Sequence, residues 1–308
     1  YAKKLKPDII SGHDLTGVLI GWMSTWFIPK NRRARIVYDS HEFEIGRHVR
    51  RNRFQIMLIT WLERFLIKKC VFSIMVNDSI ADEVKKIHKL NQRPLVVRST
   101  PHKWVVSDDE CNEIRELIDN KFGKKRLLLG FHGVITEGRG IENLLEILAI
   151  NENVNLLVVG NGTAEYFEKI RRNIKEKKIE DRVFFHPAVP YNEIWKYIGA
   201  VDLSVIAIPP VGKSYYYMLP NKFFESIQSL TPIVAFDLPE MKRLIEEYEI
   251  GLTCKINDLE DLNFKIEYMR NSKAFYEECK KKVFFAKEEL CWENEKHKLV
   301  NAYEEIIN

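Results

Sequence analysis

With 308 residues, 45% of them hydrophobic, the chain can bury a substantial core arranged as one large or two medium domains, and no repeat or low-complexity tract disturbs that picture. Five scattered cysteines, odd in number and without C-x-x-C spacing, exclude a disulfide framework and a thiolate zinc site, so a reducing cytoplasm is the expected compartment. The longest nearly apolar stretch, Gly17 to Pro29, is too short to cross a bilayer, and the net charge of +4 divides unevenly, +11 over residues 1–107 and −7 over the remainder.

Short β-rich runs alternate with helical patterns from the start. Strands are predicted at Asp8–Ser11, Arg35–Asp39, Phe72–Asn77 and Leu95–Arg98, with helices at Thr16–Phe27, Arg53–Lys69 and Ser79–Lys89 between them. That rhythm predicts an α/β fold built on a doubly wound parallel sheet. Arg47, Arg50, Arg51 and Arg53 cluster ahead of Trp61, Arg64, Lys68 and Lys69 on the second helix, a basic and apolar face suited to anionic lipid head groups at the inner face of the membrane. A solvated basic face with no partner fits the same residues, and no nucleic-acid module accompanies them.

After a polar connector, Ser107 to Lys125, the alternation restarts. Strands are expected at Leu127–Gly130, Asn155–Val159, Val183–Phe185, Leu203–Ile206 and Ile233–Phe236, with helices at Ile141–Ile150, Thr163–Lys177, Asn192–Ile198, Pro220–Ser229 and Pro239–Glu247. Two Rossmann-like lobes result, residues 1–106 and 107–290, with a terminal helix over 291–308 packing back on the first. Four strands leave the first lobe with an uncovered edge, which a missing N-terminal segment or a partner chain is expected to complete.

The segment Met218-Leu219-Pro220-Asn221-Lys222-Phe223-Phe224-Glu225 carries charges where a ligand would favour them. Pro220 suits the opening turn of a helix, so Lys222 falls in the first turn, where the macrodipole and unpaired N–H groups already present positive potential. A phosphate resolves that conflict. Glu225, one turn on, is an acceptor-only carboxylate able to take two hydrogen bonds from a vicinal diol such as a ribose. The alternative is an exposed ion pair between Lys222 and Glu225.

Strand ends in open α/β sheets carry ligands, which points to three further loops. After the first strand of the second lobe, Gly133 permits backbone approach to a phosphate and Arg139 can neutralise it; a plain surface cation is the alternative for Arg139. Gly160-Asn161-Gly162 follows a buried strand but lacks the third glycine and the distal acid of a dinucleotide fingerprint. In the first lobe His41 and Glu42 follow a strand, and His13-Asp14 ends the preceding one; a loop histidine pinned by Asp39 is the alternative there. No D-x-D sequence occurs, so no metal site is expected.

The run MLPNKFFESIQSLTPIVAFDLPEM resembles the donor-binding helix of family 4 glycosyltransferases, in the branch that writes Pro-Asn-Lys-x-Phe-Glu. VYDSHE (Val37–Glu42), FHGVITEGRGIENLL (Phe131–Leu145), LLVVGNG (Leu156–Gly162), DRVFFHPAVP (Asp181–Pro190) and WENEKHKLVNAYEEI follow that family's order. The resemblance implies a GT-B fold whose second lobe binds a nucleotide diphosphate sugar, with the active site in the cleft between lobes, and retaining, metal-independent transfer to a glycan or lipid-linked hydroxyl during surface polysaccharide assembly. It implies no cofactor beyond that donor. His41 and Glu42 are matched to the donor sugar, Arg139 and Lys222 to the diphosphate, the loop around Val189 to the base, and Met218, Leu219, Pro220 and Asn221 to sugar and phosphate through backbone groups. The chain departs from the pattern at Val134, where relatives carry a basic residue, at Tyr217, where the wider family has Glu, and at Leu230, where glycine is usual. A left-handed helix stop at Leu230 would cost about 1–2 kcal/mol. The alternative function is a donor-binding half enzyme that needs a further segment or chain.

Overall fold

The computed structural model describes residues 2–47, 52–123 and 126–307, leaving Arg50 and Arg51 of the basic cluster outside the described residues. The chain divides into two compact units: Tyr1–Ser99 with Pro210–Leu219 and Glu295–Asn308, and Thr100–Pro209 with Pro220–Asn294.

The first unit holds a parallel sheet of four strands in the order β1 (Ile9–His13), β2 (Arg35–Ser40), β3 (Phe72–Met75) and β4 (Leu95–Val96). In β2 Ile36, Val37 and Tyr38 are all buried, the pattern of a strand covered on both faces. β1 is an edge, with one hydrogen-bonded neighbour.

A buried polar network sits in this core. The Tyr38 hydroxyl donates to Glu63 Oε1 at 2.9 Å, and His88 Nε2 lies 3.1 Å from Glu63 Oε2, with all three residues at most 1% exposed. Burial, followed by the Glu63 charge, pushes the Tyr38 phenol well above its ordinary pKa. Asn77, fully buried, accepts from the Ile80 amide to cap the helix Asp78–His88, and its Nδ2 donates to the Tyr217 carbonyl at 2.6 Å, which fastens the segment 210–219 to this unit.

The second unit is a six-stranded parallel sheet, ordered β10-β9-β8-β5-β6-β7, from β5 (Leu127–His132), β6 (Val154–Val159), β7 (Val183–His186), β8 (Leu203–Ile206), β9 (Ile233–Phe236) and β10 (Gly251–Cys254). The order reverses at β5, between β6 and β8, and ligands of open α/β sheets settle outside the strand ends at such a switch.

Two features differ from the sequence expectation, and a third, the helix stop at Leu230, meets it. Ser107 to Lys125 is not a connector: Asp108–Phe122 is a helix, with the Ser107 hydroxyl accepting from the Glu110 amide and Gly123 closing it at φ +66°. High charge hid it, because most of its face is solvated and few of its residues are buried. β10 adds a sixth strand, and helices Leu259–Asn271 and Lys273–Glu289 follow it. Leu230 adopts φ +62° and does end a helix in the left-handed region, the Thr231 amide reaching back to the Ser226 carbonyl at 3.0 Å.

Removing the acceptor at the centre of the buried network should be costly, since two desolvated donors lose their partner. Glu63→Ala is expected to destabilise the chain by about 3–5 kcal/mol in urea denaturation, whereas Glu63→Gln, which keeps one carbonyl oxygen, should cost less.

Candidate functional site

The helix Asn221–Gln228 starts beyond Pro220 and is pinned by polar bonds inside the second unit. Ser226 Oγ donates to Ser204 Oγ on β8 at 2.7 Å, and Gln228 Nε2 donates to the Lys287 and Leu290 carbonyls while its Oε1 accepts from the Trp104 amide. Phe223, Phe224 and Ile227 are buried, each 1% exposed or less. The helix therefore has one rotational setting, which fixes where Lys222 and Glu225 lie.

Lys222 sets its Nζ 4.0 Å from the centroid of the Phe131 ring, on β5. Burial first, and then the nearby Arg139 guanidinium, bring its pKa down to about 7 against the opposing pull of Glu225. Lys222 makes no salt bridge with Glu225 among the described residues, so the exposed ion pair is not what forms. Glu225 instead accepts from His132: Nε2 to Oε2 is 3.0 Å, and side-chain exposures are 5% and 14%. Because the carboxylate can only accept, His132 Nε2 carries the proton. Desolvation lowers the His132 pKa, with Glu225 resisting, so its ring stays neutral.

Above the ends of β5 and β6 is a cavity of about 310 Å³ lined by Gly133, Gly160, Asn161, Val189, Tyr191 and Glu225, among others. Gly133 has φ +111° with open space where a side chain would stand, so its backbone faces the cavity bare. Gly160 and Gly162 answer to a different demand. A Cβ on Gly160 would stand 1.9 Å from the Gly133 carbonyl oxygen, and one on Gly162 would stand 2.2 Å from that of Ile135. These two glycines let the loop after β6 pack on the loop after β5. The Asn161 side chain accepts from the Ala188 amide at 3.2 Å and so ties in the loop that carries Val189. A hollow of about 480 Å³ in the first unit, between Ile67 and Arg93, carries none of the residues predicted for the donor or the catalytic step, and Arg93 there is engaged by Asp78 and Asp82.

Of the predicted donor-site residues, Gly133, Gly160, Asn161, Val189 and Glu225 share the cavity lining, and Lys222 with Arg139 forms the adjoining cationic pair. Pro220 and Asn221 stand at the helix start, while Met218 and Leu219, half-buried, group with the first unit. His132, Tyr191 and Trp104 were missed. A histidine ending an otherwise apolar strand was a legible signal for the first; the Tyr191 ring meets Trp104 edge-on at 5.6 Å, a pairing between distant residues that no local pattern announces.

In the first unit the ends of β1 and β2 lie together. His41 is exposed, its Nε2 3.0 Å from His13 Nδ1, and its backbone amide donates to Asp14 at 3.2 Å. Glu42 pairs with Arg47, which also reaches Asp14 and Glu44. Arg47 is thus occupied by carboxylates and drops out of the basic face predicted for lipid.

No curated protein sequence matches the chain. Solved structures do resemble it: HepE from Anabaena in complex with UDP (TM-score 0.83, 13% identity, 99% of this chain and 80% of that one), sucrose-phosphate synthase from Thermosynechococcus elongatus (0.81, 16%, 100% and 75%) and a glycosyltransferase from Rickettsia africae (0.73, 15%, 100% and 79%). The architecture is accordingly the α/β GT-B fold, with the first lobe the smaller. The family model for glycosyl transferases group 1 matches residues 114–284. That match spans more than half of the sequence and includes β5, β6 and the helix that carries Lys222 and Glu225, so the chain belongs to the glycosyl transferases group 1 family.

Proposed function

We propose that the chain is a retaining, family 4-type glycosyltransferase that moves a sugar from a nucleotide diphosphate sugar to a hydroxyl of a glycan or lipid-linked acceptor, in surface polysaccharide assembly at the cytoplasmic face of the membrane. The observation that carries the donor assignment is Lys222: a cation at a helix start, desolvated, beside a second cation, with no carboxylate bonded to it among the described residues. A diphosphate supplies the missing charge. The HepE structures, solved with UDP, with UDP and glucose, and with UDP-glucose, agree with that choice of ligand.

In this proposal the cavity by Val189 and Tyr191 takes the base, Glu225 takes the ribose hydroxyls, Arg139 and Lys222 take the diphosphate over Gly133, and His41 and Glu42 serve the transferred sugar. The leaving group is stabilised by these cations and the helix N-terminus without a metal ion, in keeping with a sequence that has no D-x-D. A donor-binding half enzyme, completed by another segment or chain, is the second reading, favoured by the single neighbour of β1. Robust transfer by these 308 residues alone would dismiss it, whereas donor binding without transfer would support it.

An exposed apolar face on the first unit supports the lipid-binding reading. Phe54, Met57, Leu58 and Trp61 on the helix Arg53–Ile67 are each more than half exposed, near Arg53, Lys68 and Lys69. Trp61→Ala combined with Phe54→Ala should reduce co-sedimentation with anionic vesicles, and salt should weaken the wild-type binding. Binding unchanged in both comparisons would rule this face out.

Donor binding separates the roles. Glu225→Ala should lose about 2–4 kcal/mol of affinity for nucleoside and nucleotide alike, while Lys222→Ala should weaken the diphosphate far more than the nucleoside. His132→Ala frees Glu225 from its donor and is expected to weaken nucleoside binding by about 1–2 kcal/mol, with His132→Asn recovering part of it. Calorimetry across the four variants checks the pattern.

Acidity follows with a definite sign. Lys222 is depressed to about 7 in the free chain, and a bound diphosphate must raise it. Between the free and bound values, binding takes up a proton, so affinity falls as pH rises from about 7. Calorimetry of a nucleotide diphosphate sugar at pH 8 in buffers of different ionisation enthalpy should show proton uptake that Lys222→Met abolishes.

A further inference from the structure

Parallel pairing places His13 of β1 directly across from Asp39 of β2. Register partners on neighbouring strands point to the same side of a sheet, and His41 lies two residues beyond Asp39, so its side chain returns to that side. Three ligand-type groups therefore meet at the ends of two strands. His13 Nδ1 is 3.0 Å from His41 Nε2 and 3.5 Å from Asp39 Oδ2, and the three donor atoms all lie within 4.8 Å of one another. Two imidazole nitrogens that close share one proton, which leaves one lone pair facing a donor hydrogen. An ion with bonds of about 2.0–2.2 Å to nitrogen and oxygen separates neighbouring tetrahedral ligands by about 3.3–3.5 Å, close to the two separations that His13 makes, and it can take the place of that shared proton once His41 and Asp39 settle to the same spacing.

We propose that His13, Asp39 and His41 form a binding site for a divalent transition-metal ion, with Zn²⁺ the ion their imidazole and carboxylate donors suit best. The surroundings hold the ligands in place. Asp14, a non-glycine residue at φ +56°, spends its carboxylate on the His41 backbone amide and on Arg47 at 3.1 Å, so the strained residue between the two histidine loops ties them together. Arg47 is itself neutralised by Asp14, Glu42 and Glu44 and does not set an unmatched cation beside the ion. The His13 side chain is 63% exposed, which leaves the remaining coordination position to water and the ion a way in. The existence of the site does not depend on the function proposed above, but its consequence does: an ion that holds His41 withdraws it from the donor sugar, so the metal acts as an inhibitor of a transfer that needs none.

The test uses the full chain, stripped with chelator and dialysed, titrated calorimetrically with Zn²⁺ and separately with Co²⁺ under visible absorption. One ion per chain, micromolar or tighter, is expected, with His13→Ala and Asp39→Asn each weakening it at least tenfold and erasing the cobalt bands. Cys70→Ser, which removes the half-buried thiol, should leave binding intact. Circular dichroism establishes that each variant is folded, and Asp39→Asn, which keeps the side-chain shape, stands as the measurement if His13→Ala is not. Absence of saturable binding, or binding that survives both substitutions, overturns the site. Because no transfer assay enters, a chain that binds zinc but transfers no sugar would count against the functional proposal and leave this one standing.

Discussion

A positive charge that the fold itself does not neutralise organises the second unit. Lys222 lies over an aromatic ring, at the start of a helix whose amide dipoles repel it, with Arg139 close enough to depress it further. Such an arrangement persists only because the rest of the helix is held by stronger constraints. The Ser226–Ser204 bond and the fully paired Gln228 amide fix its rotation and depth, and Phe223, Phe224 and Ile227 are buried beneath it. The cost is borne by packing, and in the proposed function a bound diphosphate would offset it.

Both units use the same device, a buried carboxylate shared with a histidine, to opposite ends. In the first unit Glu63 has both oxygens engaged, by Tyr38 and His88, and is sealed from water, which suits it to fixing the core. In the second, His132 engages one oxygen of Glu225, and the residue borders the cavity. Whether such a carboxylate is sealed in the core or borders a cavity depends on the elements around it, which the sequence does not contain.

Much of the fold was legible because it rests on local pattern. Buried strands such as Ile233–Phe236 and Leu203–Ile206 are bounded as their apolar runs suggest, and the helix at Ile141–Ile150 matches its periodicity. Legibility failed where solvation masks pattern: Asp108–Phe122 reads as a polar connector because it buries little, and Gly251–Cys254 is too short and too mixed to stand out before β9 supplies its partner. In the candidate site, the spacing of Lys222 and Glu225 followed from helix geometry, but the partner of Glu225 lies 93 residues away, and only the register of β5 beside the helix reveals it.

Strain separates the two left-handed residues that matter most. Leu230 closes a helix with its backbone satisfied by the bonds any such stop makes, and its side chain is half-buried; glycine would serve the turn as well, so its strain of about 1–2 kcal/mol has only that packing to offset it. Asp14 is different. Its positive φ aims a carboxylate at the His41 amide and Arg47, two groups that a glycine could not hold, and that bond is what brings the loops after β1 and β2 into one cluster. Strain repaid by side-chain bonds at a strand end, where ligands of such sheets gather, marks a position kept for what it positions, whereas strain repaid by packing alone marks one that the fold tolerates.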